Sequence, residues 1–355
     1  MVLLAWLNAI FYWGYATALL IYLYWHWHDA NKKASRVSEL VSVAFMYILG
    51  FYIINLYNLE AMSVRGMDIG QLIIFVALFG ITSFLLVNHY VGNQGYKKYG
   101  LDSDPVMTRN YTVFLKQLEQ KYCQDHNKDD IIKDITRKAL HLVTLAILMM
   151  SHFVGFWFDD QLAQIGFTPV GFRNTLYFTV ASLFICLFAY ADTLRMTKFY
   201  QLPNWARLWY CKSLDERKEP WTYISSIPFL LAFLLLIFQP IQVLFTAGMI
   251  SCVSDAAASI IGKNYGKHKL TKIGIHPHKS VEGLVAGVLS GFVSVFLVFE
   301  LWPYPGMNSL LQIGIALMCA LAFAYGDLYG QILADNMLNT LLPAFTTILM
   351  LSIFL

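Results

Sequence analysis

From Leu3 onward, long apolar runs alternate along the chain with short polar stretches. A helix needs about 20 apolar residues to cross the roughly 30 Å hydrocarbon layer of a bilayer. Runs of that length predict ten spans, near 3–26, 39–58, 70–92, 135–157, 174–192, 221–239, 241–261, 281–302, 309–326 and 337–355. Only Gln239-Pro240 separates the sixth from the seventh, so that boundary rests on the proline, which breaks a helix, and on total length. The first span lacks a basic leader and a small-residue cleavage site and reads as a retained helix. The expected fold class is therefore an all-α, polytopic membrane bundle of about ten transmembrane helices. One polar stretch has its own period: Met107, Tyr111, Phe114, Leu115, Leu118 and Tyr122 follow helical spacing, with Lys116, Glu119 and Lys121 opposite. This pattern predicts an amphipathic helix lying on the membrane surface.

Composition agrees with the spans. Of the 355 residues, 58% are hydrophobic and only 13% charged, more apolar surface than a soluble core hides. The five cysteines are scattered and odd in number, which argues against both a disulfide framework and a zinc cluster. Net charge is only +3, yet 23 of the 25 basic residues fall in loops one, three, five and seven, and Arg65 and Arg173 alone fall elsewhere. Because Lys and Arg favour cytoplasmic loops, both termini are expected outside, with the odd-numbered loops in the cytoplasm. Spread over membrane loops and lacking a known motif, these basic residues do not read as a nucleic-acid surface.

Chemistry first shows in Ser251–Lys269, SCVSDAAASIIGKNYGKHK, where a span carries an acid and then runs into glycines and lysines. On a helix Ser251, Ser254, Asp255, Ala258, Ser259 and Gly262 share one face. An acid within a span marks a functional site or a buried ion pair, and small residues alone serve close packing. Other polar residues collect at the same ends of the spans: Arg137, Lys138 and His141, Asp192 and Arg195, Asp215, Glu216 and Glu219, Lys279, Ser280 and Glu282, and Asp327 with Asp335-Asn336. Gly283, Gly287 and Gly291 recur every four residues, so the seventh and eighth spans are expected to pack as a hairpin around the lysine loop. Glycines, lysines and nearby acids suit a polyphosphate: cations neutralise its oxygens, acids hold Mg²⁺ and bare backbone approaches the phosphates. A P-loop is excluded, since Gly262 and Gly266 are one residue too close and His268 follows Lys267. The protein-kinase motifs are absent as well. His276 and His278 lack a third ligand at suitable spacing and read as loop residues.

SDAAASIIGKNYGK followed by HKSVEG resembles the CTP-binding signature of the CTP-dependent lipid kinases, the group of dolichol (polyprenol), phytol and yeast-type diacylglycerol kinases within the CDP-diglyceride synthetase superfamily. TRKALH, ADTLR with the acidic stretch before WTYISS, and the final Asp-Asn are further matches, and the resemblance covers roughly 130–355. Two departures stand in its C-terminal part: Asp327 where these kinases tend to have Glu, and Pro343 farther beyond Asp335-Asn336 than usual. The synthetases share an Asp-Arg-x-Asp ending, and no arginine follows Arg217 here.

The resemblance implies three segments: an N-terminal three-span module (1–93), a cytoplasmic linker with the amphipathic helix (94–134), which in a second reading gates lipid entry, and a seven-span kinase core (135–355). It implies transfer of the γ-phosphoryl of CTP to a membrane lipid alcohol, most readily dolichol or polyprenol and next phytol or diacylglycerol, with Mg²⁺ as cofactor. Asp255, Lys279, Glu282, Arg137, Lys138 and Asp335 are the expected catalytic residues. Ser254, Gly262, Lys263, Gly266, Lys267, Ser280, Asn336 and His141 are expected to bind the nucleotide, and Asp255 and Asp335 the Mg²⁺. The proton acceptor stays open among Asp335, Glu282 and Asp192. The active site is expected on the cytoplasmic face, in the endoplasmic reticulum of a eukaryote or the cell membrane of a prokaryote. Other readings are a phosphatidate cytidylyltransferase-like enzyme and a transporter or scramblase. Against the last, the acids lie near span ends and no repeat relates the two halves.

Overall fold

A computed structural model describes residues 2–27, 36–55, 64–102, 108–123, 128–214, 220–270, 279–330 and 335–355; the side chains of 55, 64, 121–123, 128–137 and 140 lie outside that description. The protein is an all-α, multi-pass membrane bundle. Its helices are α1 (Val2–Trp25), α2 (Arg36–Asn55), α3 (Val64–Tyr99), α4 (Tyr111–Cys123), α5 (Lys128–Trp157), α6 (Asp159–Ile165), α7 (Pro169–Thr197), α8 (Asn204–Ser213), α9 (Ser226–Leu235), α10 (Ile241–Met249), α11 (Asp255–Tyr265), α12 (Val281–Leu301), α13 (Ser309–Tyr329) and α14 (Asp335–Phe354). Among the described residues eight helical stretches are long and apolar enough to cross a membrane, and a ninth if the bent α5–α6 pair counts as one span.

The structure corrects the sixth predicted span. Its helix, α9, has 10 residues, about 15 Å at 1.5 Å per residue and half of what a bilayer needs. Phe229, Leu231, Ala232, Phe233 and Leu234 along it are buried in protein. An apolar run reads the same whether lipid or protein covers it.

Two compact units emerge: residues 1–133 with 148–227, and residues 134–147 with 228–355. This division by packing differs from the expected segments at 1–93, 94–134 and 135–355. In the first unit, α1 packs along α2 and α3 along α7. One polar clamp ties three of its helices: Asn8 Nδ2 donates to the Gln71 carbonyl at 3.1 Å, and Gln71 Nε2 donates to the Ile53 carbonyl at 2.9 Å. The amphipathic stretch forms α4, but its apolar stripe is not on the membrane surface. Tyr111, Phe114 and Leu118 are buried, with the Tyr111 ring 5.2 Å from those of Phe199 and Trp221. The helical period was right and the partner is protein.

In the second unit α10 passes through a π-helical turn, Ile250–Ser254, directly into α11. From there α11 and α12 form the expected hairpin, with Ser254, Ala258 and Gly262 meeting Gly291, Gly287 and Gly283 in three antiparallel layers. A methyl at Gly283 would lie 2.6 Å from the Ala258 carbonyl oxygen, and one at Gly287 2.9 Å from the Ala258 Cβ. Backbones in such contact gain dispersion and replace lipid without needing long side chains. Gly283→Ala is expected to cost about 1–3 kcal/mol through overpacking, read as a lower thermal unfolding midpoint in detergent. Gly80→Ala on α3, where a methyl meets nothing within 4 Å, serves as the control and leaves the midpoint unchanged or higher. Equal midpoints for the two variants would remove the close-approach argument.

Candidate functional site

The site is built around Asp255, the first residue after the π turn. A π turn adds one residue to a helix and re-aims the side chains around it, a device frequent at functional positions. As a result the small polar face expected on a regular helix is shared among three neighbours. Ser251 Oγ meets Thr340 Oγ1 of α14 at 2.8 Å, Ser254 points toward Gly291 of α12, and Asp255 Oδ2 forms an ion pair with Lys138 Nζ of α5. Both partners of that pair are largely buried, each side chain 13% exposed. The buried Ser254 Oγ has no hydrogen-bond partner among the described residues.

One turn after Lys138 on α5, His141 is buried and stacks on Phe229, ring centroids 4.5 Å apart. Asn336 Nδ2 lies 3.4 Å from His141 Nε2, and Cys252 Sγ donates to the His141 carbonyl at 3.2 Å. TRKALH, the span-seven serines and acid, and the terminal Asp-Asn thus meet within one unit. Arg137 precedes Lys138 on α5, and its side chain lies outside the described residues.

The fourth motif closes the hairpin. Ser280 caps α12, its Oγ accepting from Gly283 N at 3.2 Å, and Leu270 N donates to the Lys279 carbonyl at 2.8 Å while Val281 N donates to that of His268 at 2.9 Å. These bonds tie the two ends of the lysine loop together; His276 and His278 lie outside the described residues. Gly266 ends α11 against Ser280, where a methyl would meet the Ser280 Cβ at 2.7 Å, and a methyl at Gly262 would come within 3.1 Å of Ser280 Oγ. Lys263 and Lys267 are exposed there. Lys279 Nζ reaches across to Asp327 Oδ1 at 2.6 Å and to its carbonyl. Glu282, on the first turn of α12, accepts from His268 Nδ1 at 2.6 Å and from its backbone N–H at 3.2 Å. Asp335 opens α14 beside Gly330.

Sequence reasoning passed over Asn339, Thr340 and His268. Asn339 is buried beside Gly326, and neither amide atom has a hydrogen-bond partner among the described residues. A signal was available: Asn336, Asn339 and Thr340 stand at i, i+3 and i+4, a polar face on an apolar span.

Asp192 is placed otherwise than a proton acceptor requires. It lies in the first unit, fully buried, with Oδ1 accepting from Arg195 Nε at 3.0 Å and Tyr210 Oη at 2.7 Å, and Oδ2 from Ile224 N at 2.7 Å. Burial holds the Tyr210 hydroxyl well above its usual pKa, so it remains a donor. Arg195 spends its other nitrogens on Tyr111 Oη and on the Pro220 and Thr222 carbonyls. The pair anchors α4, α8 and residues 220–224.

Among the described residues no three His, Cys, Asp or Glu side chains gather as a metal-binding group. Asp255 and Asp335, the residues expected to hold Mg²⁺, are carboxylates, the donor type it takes, and a Mg²⁺ carried by phosphates keeps several waters and needs only one or two of them. Comparison with protein-family models, with curated proteins and with solved structures finds no match.

Breaking a buried pair by removing one partner costs about 3–5 kcal/mol. Arg195→Ala is therefore expected to leave little folded protein, measured as the monodisperse fraction after detergent extraction. A well-folded Arg195→Ala protein would show that the network is dispensable.

Proposed function

We propose that the protein is a membrane lipid kinase that transfers the γ-phosphoryl group of CTP to the hydroxyl of a membrane lipid alcohol, giving a lipid monophosphate and CDP. The observation that carries the reading is the Lys138–Asp255 pair, which joins TRKALH to the SDAAAS segment across 117 residues of sequence. Asn336 meets His141 in the same unit, so three of the stretches resembling the lipid-kinase signature converge. Lys279 and Asp327 make a second lysine–acid pair at the start of α12.

Phosphoryl transfer asks a protein chiefly to position its reactants and to neutralise charge spread over phosphate oxygens. In this reading Lys138, Lys279, Lys263 and Lys267 hold the phosphates, with Arg137 beside Lys138. Gly262 and Gly266 admit the chain end of α11 to close approach. Asp255 and Asp335 hold Mg²⁺, with Ser254, Ser280, His141 and Asn336 around the nucleotide. When bound, Mg²⁺ would supply positive charge against the negative charge of the phosphate oxygens. The active site faces the cytoplasm, as the distribution of basic residues suggests.

The test is label transfer from γ-labelled CTP, with labelled ATP in parallel, by purified protein offered polyprenol, phytol and diacylglycerol. Lipid labelling from CTP is expected, reduced at least about 100-fold in Asp255→Asn, in line with losses on removing a group that stabilises developing charge. Lys138→Met, which also breaks a buried pair, is expected to lower the folded yield and, in the protein that folds, to raise the KM for CTP at least about tenfold, since one charge-assisted contact to a phosphate is worth roughly 1.5–3 kcal/mol. No labelled lipid from CTP, in folded protein that still binds CTP, would overturn the kinase reading.

A further inference from the structure

Residues 268–270 and 279–281 face each other across the ends of the lysine loop, joined by two backbone hydrogen bonds and an antiparallel bridge between Lys269 and Ser280. A ladder this short is marginal in water, and Glu282 adds to it. Its carboxylate turns back from the first turn of α12 over residues 267 and 268. The His268 backbone N–H lies 3.2 and 3.3 Å from the two carboxylate oxygens, and His268 Nδ1 2.6 Å from one of them. The backbone N–H groups of Lys267 and of Glu282 itself also bond to it. One carboxylate thus collects four N–H groups, two of them from the main chain just beyond α11. Hydrogen bonds to an ionised acceptor are roughly twice as strong as neutral ones. The His268 ring is largely exposed, and an exposed pair contributes little, so the main-chain donors carry most of the attachment. The backbone of Lys267 is therefore held while its side chain stays exposed, four residues after the equally exposed Lys263.

We propose that Glu282 is a positioning residue, which latches the main chain at Lys267 and His268 to the start of α12 so that the lysines there are in place before a polyphosphate arrives. The proposal rests on the kinase reading and deepens it. Lysines on a loose loop must be ordered as the phosphates bind, and every residue fixed at that moment weakens binding. A loop already latched loses less. Electrostatics alone gives the opposite expectation: a carboxylate beside Lys267 competes with phosphate for the ammonium charge, so its removal should tighten binding. The sign of the change separates the two roles. A carboxylate offers about four acceptor sites, and the four N–H groups take them up. Glu282 is thereby set aside as the acceptor of a hydroxyl proton.

The experiment uses the full-length protein in nanodiscs and reads CTP binding by equilibrium titration, transfer from γ-labelled CTP, and amide hydrogen exchange over residues 267–270. In Glu282→Ala, exchange at Lys267, His268 and Leu270 is expected to quicken at least about tenfold, and the Kd and KM for CTP to rise at least about tenfold. The loss in kcat/KM is expected in KM rather than in kcat. Glu282→Gln, which keeps an acceptor oxygen and sheds the charge, is expected to recover most of both losses. His268→Ala, which leaves the main-chain bonds in place, is expected to shift both readouts less than Glu282→Ala does. Unchanged or tighter CTP binding in folded Glu282→Ala protein would overturn the inference, as would a fall in kcat at unchanged KM that Glu282→Gln shares. Either result leaves transfer by the wild type intact. A wild type that binds CTP and transfers nothing would sink the kinase reading alone, because exchange and Kd still decide the latch. A wild type that binds no CTP would sink both.

Discussion

A lysine and an aspartate buried together in an apolar bundle constrain how the helices of the second unit can meet. Charge within hydrocarbon is expensive, and the cost falls only when a partner of opposite sign sits against it. Lys138 and Asp255 meet that condition for each other and for no arbitrary arrangement of their helices. The pair fixes the register of α5 against the π turn and α11. His141, one turn on from Lys138, then comes against Phe229 and Asn336.

Close packing supplies the second constraint. Three layers of serine, alanine and glycine let α11 and α12 approach until a carbonyl oxygen and a Cα are neighbours. That approach brings Gly266 against the Ser280 cap and allows residues 268–270 to pair with 279–281. A loosened hairpin would separate Glu282 from His268 and open the lysine loop at its base. Packing deep in the bundle thus determines the geometry at its polar end.

Much of this was legible in the residues. Apolar runs of membrane length specify a polytopic helical bundle because a bilayer leaves a chain few alternatives, and the glycine period announced the α11–α12 hairpin. The sixth span was misread because burial by protein and burial by lipid demand the same composition, and α9 shows the difference only through its length. For α4 the period was correct and its covering partner invisible, since Phe199 and Trp221 are remote in sequence. The π turn has no residue signature, so the face assigned to Ser251, Ser254 and Asp255 was drawn one residue too regular. Asp192 and Glu282 looked equivalent as acids near span ends. What separates them is burial, complete for Asp192 and partial for Glu282, which only coordinates supply.

The two lysine–acid pairs share a logic beyond stability. Without a ligand, Lys138 is balanced by Asp255 and Lys279 by Asp327, so neither ammonium stands uncompensated in a low-dielectric setting. A polyphosphate offers each ammonium more negative charge than one carboxylate does, and Lys is a point charge on a flexible stem that re-aims at little cost. Under the kinase reading, nucleotide binding would therefore draw the lysines off their acids and leave Asp255 and Asp327 seeking positive charge. A divalent cation arriving with the phosphates would meet that need at Asp255. In that reading the same residues would balance one another in the empty bundle and turn to the polyphosphate when it binds, so that unpaired charge would be avoided in both states.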